Sequence, residues 1–258
     1  MRQHFLFFLL TLSSFAFPHE VLDVERLPFL RTKQYAKAPY EKIVIFSGHR
    51  TCSSLLYNVF RFLFEEDEFL LLPHAPFYKE KTILKTHGSD HMELLKGTKF
   101  LTVVPLRHPI NAAVSMCRFS SQGEIDLKEW AMHRIYHHAN VLFFAEKLIE
   151  DGQDVLFFKY EECKELSKIL DQIERWFSIV IAAEDRKTLE RGLSKENVLA
   201  NINSLYDSSE VLPLSGFHGR HIFQGKCGVP DELFFWLDYY YEQLQPIFSR
   251  YSYFFKND

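Results

Sequence analysis

The stretch KIVIFSGHRTCSSLLYNVFRFLF, residues 42–64, decides the fold of this chain. It opens on four apolar residues, Ile43, Val44, Ile45 and Phe46. A short, wholly apolar run rich in β-branched residues reads as a strand buried on both faces of a parallel sheet. A polar loop, residues 47–54, follows. Leu55, Leu56, Val59, Phe60 and Leu63 then recur at three and four residues, the period of a helix. The order is strand, loop, helix. Ser53 and Ser54 stand where a helix N-cap is expected. The first-turn amides of such a helix lack intrahelical partners and carry the positive end of its dipole. The loop is therefore either an ordinary serine-capped turn or an anion site. Arg50 adds a full charge and a planar fork suited to phosphate or sulfate oxygens.

Upstream, Arg2 precedes a run without charge, residues 5–17. It is too short to span a bilayer comfortably and fits the core of a signal peptide, with Ser14 and Ala16 as small residues before a cleavage point. Residues 1–17 are thus expected to be a signal-like or anchoring hydrophobic segment, with membrane contact as the partner it implies. An export or anchoring role places the protein in a secretory or membrane-bound setting; without one it is cytoplasmic. Pro18, Pro28 and Pro39 punctuate residues 18–41, which read as a linker or a surface-hugging arm. The folded domain is expected to begin near Lys42 and to cover residues 42–258.

A chain of 258 residues can bury a sizeable core in one domain. A formal charge of −4 argues against a global basic surface for DNA or RNA, so any polyanion site is local. Cys52, Cys117, Cys163 and Cys227 are widely spaced and match no zinc pattern. They read as free thiols.

Further strands are expected at residues 82–87 (TILKTH), 99–106 (KFLTVVPL) and 154–160 (DVLFFKY). In an extended segment Lys85 and His87 point to one face. A helix should start at Pro109, because proline suits the first helical turn. Helices are also expected over residues 125–150, 166–177, 183–193 and 231–251. Glu65 to Glu68 reads as a solvated acidic turn, and residues 197–226 as irregular. Strands alternating with helices give an α/β fold, a central parallel sheet flanked by helices. Ligands of such sheets bind beyond the C-terminal strand ends. The anion loop, His87 and Arg107 all fall there.

The ordered set of segments resembles the sulfotransferases that use PAPS (3′-phosphoadenosine 5′-phosphosulfate). SGHRTCSSLL looks like the family's 5′-phosphosulfate loop. ILKTH is similar to its lysine-threonine-histidine segment. VVPLRHPINAAVS is similar to its 3′-phosphate motif, an arginine ending a strand followed eight residues later by a serine, here Arg107 and Ser115. VLFFKYEEC resembles a later segment whose tyrosine, here Tyr160, lies near the adenine. The resemblance implies a P-loop-like sulfotransferase architecture, PAPS as co-substrate and PAP (its desulfated product), and a small-molecule, carbohydrate or peptide acceptor. It implies that Arg50, Thr51, Cys52, Ser53 and Ser54 hold the phosphosulfate, and that Arg107 and Ser115 hold the 3′-phosphate. His87 would be the general base, with Lys85 and Arg50 neutralising charge on the transferring group. No metal is implied.

Three departures stand out. Cys52 occupies a place where the family usually has glycine, and a side chain there would crowd the backbone's approach to the ligand. His49 replaces a common proline. The family's C-terminal arginine-lysine-glycine signature finds only HIFQGKCG, where Gly225 and Gly228 keep the relative spacing, Phe223 and Gln224 replace the basic pair, and Arg220 or Lys226 could substitute for the lost charge. Three other readings compete. A P-loop kinase fails on Ser53 and Ser54 standing where Gly-Lys belongs. A metal site could use His133, His137 and His138, although such histidines more often form a helix face. A binding protein of the same fold, without turnover, would fit Cys52 and the missing basic pair.

Overall fold

The computed structural model describes residues 21–37, 39–65, 82–89, 95, 97–118, 126–203, 211–217 and 228–255. Strands β1 (Lys42–Phe46), β2 (Ile83–Thr86), β3 (Phe100–Leu106) and β4 (Asp154–Lys159) form one sheet in the order β2-β1-β3-β4, parallel throughout. The helices are α1 (Ser53–Phe64), α2 (Pro109–Cys117), α3 (Leu127–Glu150), α4 (Leu166–Phe177), α5 (Ala183–Gly192), α6 (Lys195–Ile202) and α7 (Asp231–Gln243), with short turns α8 (Gln245–Phe248) and α9 (Ser252–Phe255) at the end.

Strand alternation sorts the core into two layers. Ile43, Ile45, Leu101, Val103, Leu156 and Phe158 pack on one face with α1, α4, α5 and α6. Val44, Phe46, Val104 and Leu106 pack on the other with α3 and α7. Both faces are covered, so β1 and β3 are buried at every position and apolar but for Lys42 and Thr102. The chain is α/β, a parallel sheet flanked by helices.

The local departures from the sequence reading have physical causes. Neither Ser53 nor Ser54 caps α1: Cys52 is the N-cap, without a side-chain cap bond, and the two serines are helical. Asp126 caps α3 by accepting from the amide of Glu129 at 3.0 Å, so that helix starts at Leu127. The expected last helix over residues 231–251 stops at Gln243, because Pro246 cannot continue it. Part of the stretch read as irregular is helical, since Ser194 caps α6. Glu65 is buried rather than solvated, and its carbonyl accepts from Arg31 at 2.9 Å. Residues 1–20 and 218–227 lie outside the described residues, so the signal-like segment, Gly225 and Lys226 do as well. Among the described residues no helix is long and apolar enough to cross a membrane.

The core also extends N-terminal of Lys42. Val24 and Leu27 are buried, and Leu27 fills the space beside Gly192, where a Cβ would stand 2.3 Å from its Cδ1. Asp185, fully buried on α5, accepts from the amide of Thr32 at 2.6 Å, the Thr32 hydroxyl at 2.9 Å and the Tyr35 hydroxyl at 2.5 Å. Burial, then the bond to Asp185, pushes the Tyr35 hydroxyl up to about 12. Leu27→Ala is expected to cost about 2–5 kcal/mol in urea unfolding of the whole chain. A change below about 0.5 kcal/mol would show that residues 21–37 are not part of the cooperative unit.

Candidate anion and proton-transfer site

The loop from β1 to α1 is built on two left-handed residues, Arg50 (φ 62) and Cys52 (φ 67). Such backbone is uncommon for residues with a Cβ. The Thr51 hydroxyl locks the turn by donating to the Gly48 carbonyl at 2.9 Å. Gly48 is pressed onto α3, where a Cβ would stand 2.4 Å from the His138 ring. Cys52 thus holds the conformation a glycine would take. Its thiol hydrogen-bonds Cys163, and burial pushes it up. The expected crowding of the loop by Cys52 is eased, because the thiol packs against the core layer that contains Cys163.

Around this loop the cations gather. Arg50 donates through Nε to the Ser115 hydroxyl at 3.2 Å, and Arg107 donates through Nη1 to the Arg50 carbonyl at 3.1 Å. The Arg107 guanidinium lies 4.2 Å over the Tyr160 ring, a cation–π contact that holds it flat. Burial and then Arg107 lower the Arg50 pKa. On β2, Lys85 donates to the Ser54 hydroxyl at 2.9 Å, and burial brings its ammonium down to about 8. Arg50, Thr51, Cys52, Ser53, Ser54, Lys85, His87, Arg107 and Tyr160 line one cavity of about 910 Å³. Ser115 adjoins it through Arg50.

His87 follows the end of β2. Its Nδ1 lies 2.8 Å from the Ser47 carbonyl, which can only accept, so Nδ1 carries the proton and Nε2 the lone pair. Burial is the main cause that lowers its pKa. The expected pairing of Lys85 and His87 on one face is what the structure shows, since both line the cavity. The histidines of α3 do not share a metal site: His133 faces out to Glu129 at 3.4 Å, whereas His137 stacks on His49.

Several wall residues carried no signal in the sequence. Leu193, Lys195 and Val198 come from the end of α5 and from α6, and Val211, Gly216 and Phe217 from the segment read as irregular. Gly216 (φ 66) passes so close to Lys85 that a Cβ there would stand 3.2 Å from Nζ. Glu25 fixes this wall from the N-terminal arm, accepting from the amides of Leu214 and Ser215 at 2.7 Å each. Lys164, partnered by Glu161, reaches the cavity from the turn after β4. In α7 Leu233, Leu237 and Tyr240 are buried in the core, and none of its aromatic residues lines the cavity.

No family model matches the chain, and no curated protein matches it in sequence. Among solved structures it is similar to mouse sulfotransferase SULT7A1 complexed with PAP, at 14% identity and a TM-score of 0.49, over 88% of this chain and 93% of that one.

Acid should destabilise this site. Burial first, then neighbouring basic groups, lowers His49 to about 3, His137 to about 4 and His138 to about 3. The unfolded chain binds protons near pH 6.5 that the folded one refuses. The stability is thus complete above that value and is lost as pH falls towards the folded values. Denaturant unfolding between pH 7 and pH 5 is expected to show the loss, at up to about 1.4 kcal/mol per pH unit for each withheld proton. His138→Gln should flatten the slope; an unchanged slope would mean that His138 is not a source of it.

Proposed function

We propose that the chain is a sulfotransferase that moves the sulfuryl group of PAPS to an acceptor hydroxyl or amine. The observation that carries this reading is the charge of the cavity. Arg50, Lys85, Arg107, Lys164 and Lys195 line it, and among the described lining residues there is no carboxylate. Cations gathered around one cavity are stabilised by an anion, and α1 directs its first-turn amides to the same place. The reading divides these groups between two anionic ends of one ligand, Arg107 with Ser115 for one and the loop 50–54 with Lys85 for the other; Arg50 touches both, through the Ser115 hydroxyl and its own carbonyl.

In this reading Arg50, Thr51, Cys52, Ser53 and Ser54 hold the phosphosulfate, while Arg107 and Ser115 hold the 3′-phosphate. Tyr160 aligns Arg107 beside the adenine. PAPS supplies an activated sulfuryl group, so the protein must align the partners and stabilise charge and needs no nucleophile of its own. His87 takes the acceptor's proton at Nε2. It is neutral near pH 7 because burial lowers its pKa, and a neutral imidazole is the form that acts as a base. Lys85, still mainly protonated at pH 7 with a pKa of about 8, neutralises negative charge that grows as the bond to the donor breaks.

The test is nucleotide discrimination. PAP is expected to raise the melting temperature well above the shifts given by AMP and ATP, since only PAP carries the 3′-phosphate. Arg107→Ala should weaken PAP by about 1.5–3 kcal/mol and AMP far less. Equal shifts with PAP and AMP, or equal weakening of both by Arg107→Ala, would refute the assignment.

A further inference from the structure

His49 has no part in the reaction as described, yet it lines the cavity beside His87. It sits between two other rings. Its centroid is 4.5 Å from His87 with planes 33° apart, and 4.9 Å from His137 with planes 26° apart. The three rings come from three elements: the loop after β1, the end of β2, and α3. Gly48 sets the arrangement, because its lack of a side chain lets the loop rest on His138 and aims the next residue between its neighbours.

The surroundings favour neutral rings. His49 faces His87, His137 and Arg134. His87 faces Lys85, and His137 faces His87 and Arg134. His138 faces His137, His49, Arg107 and Arg134. Every charged or titratable group in this set is basic, so a proton on any ring meets repulsion and no compensating carboxylate. Neutral rings at these separations attract one another, as offset or tilted aromatic pairs do.

His87 itself is tied at one nitrogen. Nδ1 bonds the Ser47 carbonyl at 2.8 Å and lies 3.3 Å from the Ser47 hydroxyl. A single anchored nitrogen defines a hinge rather than an orientation, and a flat neighbour against the ring face removes the remaining freedom. We propose that His49 is a positioning residue: backed by His137, it holds the His87 ring with Nδ1 on Ser47 and Nε2 free for the cavity. The use of that Nε2 as a base rests on the functional reading above; the clamp itself does not.

The experiment therefore reads the imidazole directly. In the full chain labelled with 15N-histidine, long-range 1H–15N spectra report tautomer and titration midpoint, and His87→Gln assigns the His87 signals. The wild type should show His87 as the Nδ1–H tautomer with a midpoint below 6.5. His49→Ala is expected to give a mixture of tautomers and move the midpoint towards 6.5. His49→Phe, which keeps a flat ring in the stack, should recover the single tautomer, and His137→Ala should act like His49→Ala but more weakly. Unchanged His87 signals in His49→Ala overturn the proposal, and so does a His49→Phe protein that behaves like the alanine variant. If His49→Ala does not fold, His137→Ala decides: unchanged His87 signals there overturn it as well. A protein that fails to prefer PAP refutes the functional reading and leaves this result standing on its own.

Discussion

The left-handed turn at Arg50 and Cys52 is the constraint on which the site depends. β1 is buried on both faces and must end abruptly, and α1 must begin within six residues so that its apolar side returns to the same layer. Two positive-φ residues make that reversal. Each such residue with a Cβ costs on the order of 1–3 kcal/mol, which the surroundings must offset. Thr51 bonded to Gly48, the Arg107 bond to the Arg50 carbonyl and the Cys52 contact with Cys163 all act on this turn. The result is a helix N-terminus left open, with two guanidinium groups beside it.

The rest of the molecule serves to wall that opening. The N-terminal arm does so at a distance: Arg61 of α1 donates to the Glu25 carbonyl at 2.7 Å, and the Glu25 carboxylate fixes the amides of Leu214 and Ser215. Asn58 of α1 donates to the Ser215 carbonyl at 2.8 Å. Gly216 then lies over Lys85. The arm is thus linked to the segment beside this cation by a chain of buried and half-buried hydrogen bonds rather than through the sheet.

Much of this was legible in the sequence where period and punctuation are strong. The four strands, the body of α1 and the starts of α2 and α4 follow from apolar runs, Pro109 and helical spacing, and Lys85 and His87 share a face because strand residues alternate. What stayed hidden has no period. Glu25, Val24 and Leu27 lie in a proline-marked stretch whose burial comes from single long-range contacts with α1, α5 and residues 214–215. Gly216 and Phe217 sit on a turn with no apolar alternation. The capping of α1 was misread because Ser53 and Ser54 have cap chemistry, whereas the backbone reversal is carried by Cys52, whose type gives no hint of a positive φ. The stack of His87, His49 and His137 joins three elements and is visible only once the sheet order is known.

The claim that binds these observations is that His87 serves as a base beside an anion cradle it does not itself form. The most direct measurement is sulfuryl transfer from labelled PAPS by His87→Ala, with phenol, hydroxysteroid, sugar and peptide acceptors, alongside PAP affinity of the same protein. The account predicts a loss of about 10²- to 10⁴-fold in the transfer rate to whichever acceptor the wild type uses, with PAP affinity close to wild type. Transfer by the variant at the wild-type rate, or a loss of PAP binding as large as the loss of rate, would contradict it.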